Sequence, residues 1–139
     1  MNSAILQIAS KYVRTLMVIL AVLILLRGHN LPGGGFIGGL LAGLSIAFKG
    51  FAFTPDKVRE EIRWKPRGYM AFGLFLIFLS TLPGWFSGKG LMTGIWVTIP
   101  LTSGFKFGTP FLFDIGVFFA VIGVTLLFLL SVTRGEEWK

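Results

Sequence analysis

Four long apolar runs constrain this chain more than any other feature of its sequence. Residues of about 5–26, 33–53, 68–86 and 111–132 are each long enough, at about 1.5 Å of rise per helical residue, to cross a hydrocarbon core of roughly 30 Å. Inside lipid every backbone N–H and C=O must be satisfied within the protein, so runs of this length become helices. The chain has 139 residues, of which 54% are hydrophobic, and a mean hydropathy of +0.80. The expectation is an all-α integral membrane protein, one membrane domain over residues 1–139 with four transmembrane helices.

Composition removes several function classes. There is no cysteine and a single histidine, which leaves no ligand set for an iron–sulfur cluster, a zinc site or a CxxC redox pair. No catalytic residue, metal site or cofactor is expected. The formal charge of +7 does not point to nucleic acid, because the basic residues sit in the connections between apolar runs rather than on one soluble face. Lys11 and Arg14 before "TLMVILAVLILL" imitate the start of a signal peptide, but "RGHNLPGG" follows without a small-x-small cleavage pattern, so the segment reads as a retained span.

The basic residues also orient the spans. With the N-terminus, residues 54–67 and the C-terminus on one side, that side carries Lys11, Arg14, Lys57, Arg59, Arg63, Lys65, Arg67, Arg134 and Lys139, against Arg27, Lys89 and Lys106 on the other. The positive-inside rule then places both termini in the cytoplasm. "TPDKVREEIRWKPRG" reads as a cytoplasmic connection touching lipid headgroups, with a short amphipathic helix broken by Pro66. On the external side, "GIWVTIPL", a turn at "TSG" and "FKFGT" predict a short β-hairpin between the third and fourth helices.

The string "RGHNLPGGGFIGG", residues 27–39, contains the dinucleotide spacing Gly33-x-Gly35-x-x-Gly38, but no strand precedes it and no βαβ unit surrounds it. Helical geometry explains it better. At i, i+4 spacing Gly35, Gly39, Gly43 and Ala47 form one ridge, and Gly34, Gly38 and Ala42 form the next. Such a face lets another helix approach closely, which is how spans associate in lipid without a hydrophobic drive. The fourth span offers Gly116, Ala120 and Gly123, and the third Gly73, Ser80 and Gly84. More smooth faces than four helices need would suit one component of a larger complex.

Four polar residues near the spans form a further candidate group. Asp114 lies about one turn into the fourth span after Thr109 and Pro110, where the helix dipole favours a carboxylate. Arg27 and His29 emerge on the same side and are candidate partners for it. Lys49 lies near the end of the second span, where its head either snorkels to the boundary or faces inward as a relay.

"GHNLPGGGFIGGL" and "GTPFLFDIGVFFAVIG" resemble the two signatures of the MnhB family, an accessory component of Mrp-type monovalent cation/proton antiporters. Gly28, His29, Pro32, Gly33, Gly34, Gly35, Phe36, Gly38 and Gly39 match the first motif; Thr109, Pro110, Phe113, Asp114, Gly116 and Val117 match the second. Lys49 belongs to neither. The resemblance implies an accessory subunit of a hetero-oligomeric complex in the bacterial cell membrane that exchanges Na⁺, or K⁺ in some members, for H⁺, with the main ion pathways in larger subunits. It implies no catalytic chemistry in this chain. Similar subunits occur in ion-pumping membrane-bound hydrogenases and related respiratory complexes, the alternative host.

Overall fold

The computed structural model describes residues 4–28, 34–98 and 106–134. Its elements in chain order are α1 (Ala4–Arg27), α2 (Gly34–Ala52), α3 (Pro55–Glu61), α4 (Pro66–Phe86), β1 (Trp96–Thr98), β2 (Lys106–Gly108) and α5 (Thr109–Arg134). Four of the helices, α1, α2, α4 and α5, are long and apolar enough to cross a membrane. They match the four spans expected from the sequence to within two residues at every end.

The helices pack as a row in the order α1, α2, α5, α4, with α3 folded back onto α2 and α1 barely touching α5. Consecutive spans alternate in direction, so the start of α1, α3 and the end of α5 share one side while the strands lie on the other. The buried core is small. Ala21, Ala42, Ile122 and Leu126 form it, with Leu41, Ile46, Tyr69 and Phe118 packed around them. Large side chains instead cover the outside: Ile5, Ile8, Tyr12, Leu16, Ile19 and Leu23 form an exposed stripe along α1 at three- and four-residue spacing, and Leu74, Phe75 and Phe78 do so on α4. A soluble protein does not leave such faces open, whereas lipid tails solvate them.

The connection over residues 54–67 differs from expectation in one detail. Pro66 does not break the short helix; α3 ends earlier, at Glu61, where Ile62 turns to extended backbone. Pro66 instead opens α4, preceded by Lys65 at φ −60°, ψ 149°. The physical reason is local. A residue before proline is driven out of the helical region, and proline itself fits the first helical turn because its missing N–H would be unpaired there.

The hairpin pairs antiparallel, with Trp96 opposite Gly108, Val97 opposite Phe107 and Thr98 opposite Lys106. The "TSG" turn expected between the strands lies outside the described residues. Gly108 has its place because a Cβ there would meet the Trp96 ring at 2.7 Å. Thr109 then ties the hairpin to α5: its backbone N–H donates to the Ile95 carbonyl at 3.0 Å, and its hydroxyl oxygen accepts from the Ile95 N–H at 3.1 Å.

Candidate functional site

The two glycine ridges of α2 meet different neighbours. On the first, a Cβ added at Gly35 would strike the Asp114 carbonyl, one at Gly39 would lie 2.6 Å from the Phe118 carbonyl oxygen, and one at Gly43 would lie 2.8 Å from Thr125 Cβ. Ala47 ends this ridge, buried beside Leu126. On the second ridge, Gly34 touches the Gly28 backbone and Gly38 faces the Ala21 carbonyl, while Ala42 joins the core with Ala21. One ridge therefore seats α5 and the other α1. Backbone meets backbone along both.

The remaining small residues act likewise between α4 and α5. Gly73 faces Gly116 and Ala120, Gly116 faces Gly73 and Ile77, and Gly123 lies against Met70 and the Pro66 carbonyl. All ten residues expected as helix-docking positions thus have contacts with the chain's own helices. The large exposed side chains on α1 and α4 mark the faces left uncovered.

The four polar candidates separate into two ends. Lys49, in the last turn of α2, places Nζ 2.5 Å from Glu61 Oε2. Arg14 of α1 reaches the other oxygen, Oε1, at 2.7 Å, and its Nε donates to the Ser45 carbonyl at 3.1 Å. One carboxylate in α3 thus holds two cations from α1 and α2, and Val58 pins the same helix by filling the notch left at Gly50. Partial burial acts to raise the Glu61 pKa, but the hydrogen bonds and charges of Lys49 and Arg14 outweigh it and hold the carboxyl below its ordinary value of 4.5. Sequence reasoning misses both Arg14 and Glu61 as site residues. Their only signal is a mixed-charge connection on the same side as the start of the first span and the end of the second.

At the opposite end Arg27 closes α1 as an exposed residue, and Asp114 lies in the second turn of α5 with its carbonyl packed on Gly35. The start of α2 stands between them: Gly34 touches Gly28 next to Arg27, and Gly35 touches Asp114. His29, with Pro32 and Gly33 of the first motif, lies outside the described residues. Among the described residues no three histidine, cysteine or acidic side chains come together as a metal site.

Known proteins are similar to this chain in sequence and architecture. The family described as a domain related to the MnhB subunit of Na⁺/H⁺ antiporter matches residues 5–127. The "Putative antiporter subunit mnhB2" of Staphylococcus saprophyticus is 32% identical over 138 residues, covering 98% of each chain. A Na(+)/H(+) antiporter subunit from Bacillus subtilis is 30% identical over 138 residues, covering 98% of this chain and 95% of that one. A probable K(+)/H(+) antiporter subunit from Rhizobium meliloti is 32% identical over 117 residues, 83% of this chain; the chain spans only 12% of that much longer protein. Among solved structures, the Mrp complex from Dietzia sp. DQ12-45-1b matches with a TM-score of 0.79 at 27% identity, covering 97% of this chain and 14% of the matched one.

Proposed function

The chain belongs to the MnhB family, and from that premise we propose that it is an accessory membrane subunit of a multi-subunit antiporter exchanging a monovalent cation for protons. The observation that carries this reading is the match along nearly the full length of both chains to a Na(+)/H(+) antiporter subunit, on a fold shared with an Mrp complex. Relatives bearing antiporter names favour this host over the hydrogenase alternative. The chain's own part is to present a rigid four-helix row to its partners. It is a transporter component rather than an enzyme.

Within that role Asp114 is coupled to the outer end of α1, through Arg27 or His29, and supports exchange without being the main cation site. Support comes from position: a carboxylate near the end of a span needs helix-terminal N–H groups or a counter-charge, and only the first turn of α2 separates its backbone from that of α1. The experiment is purification of the complex in mild detergent, identification of the chains that accompany this one, and cation/proton exchange in everted vesicles. Other antiporter subunits should co-purify. Asp114→Asn should assemble with reduced exchange, and Arg27→Gln should add little further loss, because contacting residues are non-additive. Recovery of this chain alone, or with oxidoreductase subunits, would sink the host assignment; unchanged exchange in Asp114→Asn would sink the role of that residue.

Both termini and residues 54–67 face the cytoplasm in this reading, on the strength of the basic-residue asymmetry. The chain is free of cysteine, so single cysteines report their own sides. An impermeant thiol reagent on intact cells should label position 103 and spare position 60; the reverse pattern inverts the topology.

A further inference from the structure

Beside the seam of α4 and α5, on the α3 side, lies a groove of about 700 Å³. One wall runs from α3 through the connection into α4, with Arg59 in α3, Arg63 and Lys65 in the connection and Arg67 in α4. The other is the end of α5, with Leu127, Leu130 and Ser131. Among the described residues no acidic side chain lines it. Of the described acids next to lining residues, Glu61 is already engaged by Arg14 and Lys49, and Glu60 beside Arg59 is exposed.

The level of the groove along the helices is set by its walls. Leu127 and Leu130 belong to the apolar span of α5, while Arg63 and Lys65 precede α4 and Arg67 stands in its first turn. Trp64 lines the groove at this boundary and is held there by Tyr69, at 5.6 Å between ring centroids, and by Phe72, at 5.5 Å. A tryptophan fixed in this way is what the headgroup region of a bilayer favours. Gly123 packs on Pro66 and Met70, and Leu127 and Leu130 follow it towards the α3 side, so the two walls stand at one level, at the boundary end of the spans, with cations on one wall and leucines on the other.

We infer that this groove is a binding site for an anionic phospholipid, whose headgroup phosphate is held by Arg63, Lys65 and Arg67 and whose acyl chain runs along Leu127 and Leu130. A basic pocket between transmembrane helices is suited to such headgroups, and four cations, with no acid among the described residues that line the groove, supply the charge complementarity. A free phosphate would use the cations and leave the leucine wall idle. An acidic protein segment would have to place polar backbone against the apolar end of α5. A lipid satisfies both walls at once, and would tie the connection of residues 62–65 to the last turns of α5, beyond the point where Gly123 packs on Pro66 and Met70.

The test uses the complex purified with its natural partners and reconstituted in phosphatidylcholine bilayers, with phosphatidylglycerol carrying a photoactivatable group on its acyl chain as the probe. Mass mapping after illumination should place adducts within residues 62–67 and 127–131. Unlabelled phosphatidylglycerol should compete; phosphatidylcholine and inorganic phosphate should not. Arg63→Gln with Arg67→Gln should weaken capture about twenty-fivefold, at roughly fivefold for each charge removed, and Arg63→Lys with Arg67→Lys should retain most of it. Ser131→Phe keeps every charge and narrows the groove at its α5 wall, so it too should weaken capture, with assembly checked by size-exclusion chromatography. Equal labelling by a phosphatidylcholine probe overturns the proposal. So does displacement by inorganic phosphate, and so does cross-linking of these residues to a neighbouring protein with no lipid adduct.

Discussion

Helix α2 is held on two sides by different physics. Against α5 the contact is dry and made by what is missing: Gly35, Gly39 and Gly43 bring the helices so close that a single Cβ would collide with a carbonyl or with Thr125. Against α1 the same device works only over part of the length, at Gly34 and Gly38, and towards the α3 side it gives way to polar contacts of Arg14 with Ser45 and Glu61. The difference follows from depth. Deep in hydrocarbon, van der Waals contact between smooth helices is the available attraction, while near the boundary charged side chains can keep their heads partly in water. The first seam is rigid and intolerant of size. The second can open, since its polar end holds α3, a seven-residue helix attached by few groups.

The largest effect is expected where the dry seam is filled. Gly39→Ala would set a Cβ 2.6 Å from the Phe118 carbonyl oxygen, and backbone cannot swing aside as a side-chain tip would. Overpacking of this kind costs about 1–3 kcal/mol. Gly39→Leu, with its far bulkier side chain, should prevent recovery of the folded chain in its complex. Leu16→Ala is the contrast: Leu16 is 58% exposed on the outer face of α1, so its truncation should change thermal stability by about 0.5 kcal/mol or less. Equal recovery of Gly39→Leu and wild type would dissolve the distinction between the faces, and a large loss from Leu16→Ala would mean that a partner, not lipid, covers α1.

The spans, the hairpin and the two glycine ridges are legible in the sequence because each depends on a local period: about 20 apolar residues for a span, about two for a strand, about 3.6 for a helix face. What the ridges pack against is not legible, since a glycine shows only that something comes close and carries no side chain to say what. The inference from surplus small residues to outside partners does not follow here, because Gly73, Gly116 and Gly123 are matched within the chain. The reading as a component of a complex rests on the family instead. The Arg14–Glu61–Lys49 cluster is hidden for another reason. It joins residues 12 and 47 positions away from Glu61, and only the fold-back of α3 after Ala52 brings them together. Lys49 stands out as an anomaly in an apolar run, but its partner lies in a connection that looks merely solvated.

The smaller effect belongs to the polar end of the second seam, and there pH separates electrostatics from packing. Glu61 has a carboxyl held below its ordinary value of 4.5, so the folded state binds its proton less readily than the unfolded chain does. Its stabilisation is therefore present above the unfolded value and is lost as pH falls through the lower folded one. Glu61 keeps 38% of its side-chain surface exposed, so solvent screens both pairs, and a contribution of about 1 kcal/mol for the two together is the appropriate scale. A cysteine replacing Val58, which is only 2% exposed, reports the release of α3 from α2. With this reporter in the complex, Glu61→Gln should raise the thiol-labelling rate about fivefold at neutral pH, the factor that about 1 kcal/mol represents. Taking the ratio of mutant to reporter-only rates at each pH cancels the thiol's own ionisation. That ratio should stay constant as pH is lowered to the ordinary carboxyl value of 4.5 and fall towards one below it. A ratio near one at neutral pH would mean that contacts of α3 other than the ion pairs hold it against α2, and a ratio that does not change with pH would mean that the introduced glutamine disturbs packing rather than an ion pair.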